Sequence, residues 1–242
     1  MHADKTTLND LSIFTHDEAH SVFHHLDFTR TVGGRAWLQY YFDSPLESLK
    51  LINDRQELLK RVIRVAPQWP VNINNGTIMV LQRYFETSLG SIPESPNIIN
   101  AIAFKLINGP DFSLIDYTVT HFAEFVKGIA AIKDLLWAND NPAELSYILE
   151  RIDQLLKRPQ LQKLLNKEKE KKLPAADVLS EGHFLRHNFK SQCMDLIELY
   201  CRLDAFYGMA LAIGHFQLSF PTVVDTERPE LTATELYHPL LP

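Results

Sequence analysis

Residues 112–137 read FSLIDYTVTHFAEFVKGIAAIKDLLW, and this stretch decides the fold class. Leu114, Ile115, Val119, Phe122, Val126, Ile129, Lys133 and Leu136 follow a spacing of three and four. Gly128 is the only residue in the run that disfavours a helix. The pattern predicts one helix about 39 Å long, presenting an inward face along its whole length. A second long amphipathic run is predicted from about Gly182 to Gly214, with Phe189, Leu196, Leu199, Leu203, Phe206 and Ala210 inward.

Shorter helical segments lie around these two. Thr15-His16-Asp17-Glu18 has the capping-box form, ahead of Val22, Phe23 and Leu26. Gly33-Gly34 is expected to end a turn and let the next helix pack closely, with Asp27 and Arg30 pairing across that turn. Ser44-Pro45-Leu46-Glu47 is a second start signal, followed by Leu49, Ile52, Leu59, Val62 and Ile63 at helical spacing. Ile78, Leu81, Phe85 and Leu89 form a further apolar face, and Ile98, Ile102 and Leu106 a short one. Asn141-Pro142-Ala143-Glu144 opens a helix with Leu145, Ile148, Leu149, Ile152 and Leu155 inward. The last segment looks extended at Phe220–Val224 and Leu231–Leu236, giving an all-α domain with two long helices and a short strand-like tail.

Composition narrows the function. The chain has 242 residues, 45% hydrophobic and 22% charged, enough for one large domain or two small ones. No stretch approaches the roughly 18 consecutive apolar residues of a membrane span, and Met1-His2-Ala3-Asp4-Lys5 does not read as a secretory signal. A net charge of −6 argues against a surface built throughout for nucleic acid, so any phosphate contact has to come from a local patch. Cys193 and Cys201 stand eight positions apart on one predicted helix, about 12 Å of rise, too far to bridge. The expected location is cytoplasmic.

One such patch exists. Lys157, Arg158, Lys163, Lys167, Lys169, Lys171 and Lys172 face only Glu168 and Glu170, a local charge of +5. Runs of this kind are ordinarily solvated helix ends. The sharper reading makes Lys163, Lys167, Lys169, Lys171 and Lys172 phosphate contacts. No aromatic residue intervenes to stack on bases, so binding there would be weak and without sequence preference.

Other constellations fall short. His16, His20 and His24 share a helical face, but a metalloprotease pattern needs Glu directly after the first His, and Asp17 stands there. His183 and His187 repeat the spacing without a nearby third ligand. Gly33-Gly34-Arg35 lacks the second Gly-Lys pair of a phosphate-binding loop. No catalytic site or metal site is expected.

An ordered string of residues carries more information than any single motif. Asp4, Thr7, Leu11 and Ile13 lead into the run Ser21–Arg35, then Leu38, Ser44-Pro45-Leu46 and Ile52–Glu57. This string resembles the start of the core domain of MutS-family DNA mismatch repair proteins. At the other end, Tyr200, Leu203-Asp204-Ala205, Ala210 and Phe220-Pro221 look like the helix returning to the body of such a core. Leu231–Tyr237 with His238-Pro239-Leu240-Leu241 looks like the opening of the family's ATPase domain. The resemblance is weakest between about Gln68 and Leu179.

The resemblance implies a core (lever) domain over residues 1–216 and the start of an ATPase domain over 217–242, with the chain cut before any Walker sequence. It implies that this piece is non-catalytic, while the parent binds ATP and Mg and forms a homodimer. Its partners would be the parent's own ATPase domain and DNA, mismatched or branched. The family's clamp domain is usually inserted between the outgoing and returning long helices, and only the basic segment occupies that place here. That analogy puts Lys157–Lys172 near the lever's distal tip. The alternative is a free-standing helical scaffold that binds protein partners through exposed apolar surface.

Overall fold

A computed structural model describes residues 5–15, 17, 20–166, 173–224, 230–238 and 240. The chain divides into two compact units. Unit 1 comprises Met1–Gln68, Ala138–Ser146 and Cys201–Pro242; unit 2 comprises Trp69–Trp137 and Tyr147–Tyr200. Both units are built of helices joined by irregular segments, with no strand among the described residues. The division falls inside two helices, α8 (Ala143–Leu156) and α11 (Lys190–His215).

Unit 1 begins with α1 (Lys5–Asp10), α2 (Val22–Leu26), α3 (Val32–Asp43) and α4 (Leu49–Val65), followed by a 3₁₀ turn at Ala66–Gln68. The capping box expected at residues 15–18 falls partly outside the described residues. The Thr15 hydroxyl donates to the carbonyl of Asp17, Glu18 lies outside the described residues, and Ser21 caps α2 by accepting from the His24 amide at 3.3 Å. The start signal at Ser44 is displaced. Ser44 ends α3, Pro45 follows as a stop, and Ser48 accepts from the Leu51 amide to start α4 four residues later. The inward face of α4 is consequently Leu58 and Val62, both at most 1% exposed, rather than Leu49 and Leu59.

Unit 1 closes around α11. From Cys201 to Gly208 every residue except Arg202 is buried, Leu203 completely. The loop before α3 and the glycines that open it lie directly on this stretch. A Cβ on Gly34 would overlap the Asp204 carboxylate, and one on Gly208 would come within 2.8 Å of the Thr29 backbone nitrogen. The expected close approach at Gly33-Gly34 is therefore real. Residues 217–224 and 230–238 are irregular. Gln56 donates to the carbonyl of Pro221 and Tyr237 to that of Phe216, and the strand-like tail forms no ladder among the described residues.

Unit 2 contains α5 (Asn75–Glu86), α6 (Ile98–Ile107), α7 (Gly109–Leu136), α9 (Pro159–Leu165) and α10 (Ala175–His183). Residues 112–136 of the predicted run lie in the 28-residue α7, which begins three residues earlier with Pro110 in its first turn where no amide is needed, and Trp137 ends it. Ile115, Val119, Phe122, Val126 and Ile129 are fully buried, joined by Thr118, Phe125 and Ile132. Lys133, read as part of that face, is half-buried and bonds Asp153 at 3.0 Å. Helices α5, α9 and α10 pack against α7.

Two expectations fail in this unit. The run from Gly182 to Gly214 is broken by a π-helical turn at Phe184–Asn188. The wider turn stacks Phe184 on Phe189 (5.3 Å between centroids) and brings Phe189 to Phe122 (5.9 Å). It also sets Arg186 to donate to the carbonyls of Tyr84 and Thr87 at the end of α5, both at 2.6 Å. The second failure is α6. Ile98, Ile102 and Leu106 are 73%, 51% and 80% exposed, and Ala101 is the residue this helix buries.

Candidate functional site

The basic segment lies in unit 2, and the structure accounts for its described cations one by one. Lys157 is exposed and pairs with Asp153 one turn earlier at 2.7 Å. Asp153 also receives Lys133, and the hydrogen bond from Lys157 is the first cause holding its carboxyl below the usual range. Arg158 precedes α9 and places its guanidinium 5.6 Å from the centroid of the Phe189 ring. Helix α9 starts with Pro159, buries Leu161 and Leu164, and presents Lys163 to solvent in its last turn. A cation at that end suits the helix's partial negative charge. Lys167, Lys169, Lys171 and Lys172 lie outside the described residues. Of the five candidate DNA contacts, then, Lys163 is on an open face, while the neighbouring Lys157 and Arg158 are engaged within unit 2.

In unit 1 the feature that organises the family-like string is a buried carboxylate. Asp204 is fully buried on α11. Its oxygens accept from the backbone amides of Arg30 (3.1 Å) and Thr31 (2.9 Å) and from the Thr31 hydroxyl (2.7 Å). The Thr31 hydroxyl oxygen in turn accepts from the Gly34 amide at 2.9 Å, capping α3. Burial pushes the Asp204 carboxyl above its ordinary range, against the pull of those hydrogen bonds and of Arg30. A carboxylate whose lone pairs are taken by amides and a buried hydroxyl is spent as an acceptor, and its role is to hold the α3 entry. Alongside it, Asp27 accepts from Thr29 and pairs with Arg35 at 3.3 Å, while Arg30 donates to the Tyr207 hydroxyl at 3.3 Å.

The histidine patterns assemble no ligand cage among the described residues. His16 lies outside them, and His20 is bonded to Asp17 at 2.7 Å. The His183 and His187 rings lie 4.5 Å apart, tilted by 42°, and burial, then the charges of His183 and Arg186, hold the His187 imidazole below its usual pKa. No group of three or more His, Cys, Asp or Glu among the described residues could hold a metal ion. Burial pushes the Cys193 thiol up to about 12, which removes it as a nucleophile. The sequence has no glycine-rich phosphate loop with its lysine.

Nothing in the sequence joins Thr31 and Gly34 to Asp204, which stands more than 160 positions away. The local signal is a threonine at N-cap spacing before two glycines. Nor does anything local mark the aromatic and arginine cluster around Trp37, Arg55 and Arg202, whose members are far apart in the chain.

No single helix among the described residues is long and apolar enough to cross a membrane. Compared with known families, the sequence matches the family model for MutS domain III over residues 6–213. Neither a curated protein nor a solved structure matches the chain.

Proposed function

The chain belongs to the MutS family of DNA mismatch repair proteins, as a domain III, and from that premise we propose that it serves as a lever between an ATP-hydrolysing domain and a DNA-contacting end. Domain III is a non-catalytic helical domain. In this reading residues 1–216 are the lever and residues 217–242 open the parent's ATPase domain. ATP and Mg²⁺ bind in that ATPase domain, and a homodimer of the parent engages mismatched or branched DNA.

The observation that carries the reading is the match across residues 6–213, which spans both long helices. Two further features support it. Helices α7 and α11, at 28 and 26 residues, are about 42 and 39 Å long, the scale on which a helix transmits displacement. The basic segment stands between them in sequence, with Lys163 exposed on α9. We place the DNA contact at Lys163, Lys167, Lys169, Lys171 and Lys172.

The test is binding of duplex and branched DNA by the whole chain across a salt series. With five phosphate contacts on a duplex, the logarithm of the affinity should fall with log salt at a slope of about −4.5. Replacing Lys167, Lys169, Lys171 and Lys172 by Glu should abolish this binding while leaving the melting temperature nearly unchanged. Unaltered binding by that variant overturns the tip assignment.

A further inference from the structure

Unit 1 contains a cleft of about 490 Å³, within the range that small ligands fill. Trp37 and Tyr40 from α3, Leu51 from α4 and Arg202 from α11 line it. Two arginines reach this cleft and are used differently. Arg55 donates to Glu144 at 2.8 Å and lies over Tyr41, whose hydroxyl bonds the same glutamate at 3.0 Å. Its charge is matched.

Arg202 is not matched in this way. It is the one residue between Cys201 and Gly208 that is not buried. Its guanidinium lies over the Trp37 ring, 4.1 Å from the centroid. The Nε atom is buried without a hydrogen-bond partner, and no ion pair or hydrogen bond to Arg202 occurs among the described residues. An indole beneath a guanidinium satisfies its face, whereas the five N–H donors lie on its edge. The Nε–H is out of reach of water, while the terminal N–H groups open to solvent at the cleft, where an anion can replace the water they hold. Glu47 also borders the cleft, is exposed, and forms no ion pair with Arg202 among the described residues.

We propose that this cleft binds an anionic group, a carboxylate or a phosphate, carried on a flat apolar body. The anion would accept from the edge of Arg202. The body would rest against Tyr40, an aromatic side chain that is 54% exposed, and against the exposed Leu51. This site uses none of the lysines assigned to DNA and no ATPase residue, so it stands or falls separately from the lever reading.

The experiment is a nuclear magnetic resonance titration of the whole chain with phenyl phosphate, benzoate, inorganic phosphate and neutral benzyl alcohol. The Trp37 indole and Arg202 Nε–H signals are assigned by their loss in Trp37→Phe and Arg202→Gln. Phenyl phosphate or benzoate should shift both signals saturably, and the tighter of the two identifies phosphate or carboxylate as the preferred anion. Arg202→Gln should weaken that binding about tenfold, the scale of one charge-assisted hydrogen bond. Tyr40→Ser, a change on the exposed lip, should weaken phenyl phosphate or benzoate relative to inorganic phosphate. The proposal is overturned if no anion gives a saturable shift, or if benzyl alcohol binds as well as the anions. Undiminished affinity in an Arg202→Gln chain that melts normally overturns it equally.

Discussion

The two units solve the problem of a stable interior differently. Unit 1 is fixed at a polar point, where Asp204 ties two amides and a hydroxyl of the loop before α3 to α11. Unit 2 is built on a wide apolar interior of Phe122, Phe125, Phe189, Ile115 and Ile129. Its polar links are side chains reaching backbone carbonyls: Tyr84 to Gly182, Tyr200 to Ile73, and Arg186 to the end of α5. A buried carboxylate demands particular donors at particular positions, and small residues where helices meet it. An apolar interior demands volume, which many combinations of side chains supply. The first kind of order leaves a string of specific residues in the sequence, and the second leaves a periodicity.

The sharpest way to break this contrast is to remove the polar point. Asp204→Ala should strand the amides of Arg30 and Thr31 and the Thr31 hydroxyl in a buried site. The expected loss is about 4–5 kcal/mol in urea unfolding, near the upper end of single substitutions. Asp204→Asn keeps one acceptor oxygen but turns an amide group toward backbone N–H donors, and should cost about 1–3 kcal/mol. If both variants unfold within about 1 kcal/mol of the parent chain, the buried carboxylate is not what holds unit 1.

That difference also explains how much of the molecule could be read from its sequence. The family string runs from Asp4 to Glu57 and resumes at Tyr200, and its most specific members, Thr31, Gly34 and Asp204, meet at one point. Specific hydrogen bonds and close approaches made those positions legible. Between about Gln68 and Leu179 the resemblance is weak, and there the helices were legible from apolar spacing: α7 from the run 112–137, α5 from Ile78, Leu81 and Phe85, and α8 from Leu145, Ile148, Leu149, Ile152 and Leu155, faces that are buried. The π turn at Phe184–Asn188 carries no local signal, since its cause is Phe189 packing on Phe122 and Arg186 reaching α5, both distant in sequence. The start signal at Ser44 failed because another serine, Ser48, stood four residues on and supplied the cap. The cluster at Arg202 was invisible for the same reason as any site assembled from separate helices: nothing local marks Trp37, Arg55 and Arg202 as neighbours.

A pair of milder substitutions sharpens the contrast. Leu203→Ala, beside Asp204 and completely buried, should cost about 3 kcal/mol as transfer and cavity terms add. Ile129→Leu in the fully buried face of α7 keeps the volume and should cost less than about 1.5 kcal/mol. A loss of 3 kcal/mol or more at Ile129 would mean that unit 2 is as exacting in shape as unit 1 is in hydrogen bonding. A loss under about 0.5 kcal/mol at Leu203 would mean that its side chain is exposed in solution.

The smallest effects are expected on α6, where the periodicity misled. Its sequence, Ile98 to Ile107, is apolar at eight of ten positions, with Asn100 and Lys105 the exceptions. A helix that is apolar nearly all round has no polar face to mark its outside, so spacing alone cannot choose which side packs. The choice follows from fit: α6 meets α7 and α10 through Ala101, whose small side chain permits the close approach, and the larger isoleucines and Leu106 point away. Ile99→Ser and Leu106→Ser, at 77% and 80% exposed, should therefore change unfolding free energy by no more than about 0.5 kcal/mol each. Ala101→Val on the same helix should cost about 1–3 kcal/mol by overpacking. Losses of 2 kcal/mol or more at Ile99 and Leu106, with Ala101→Val tolerated, would show that the opposite face of α6 is the one buried in solution, and that the isoleucine spacing had marked the inward side after all.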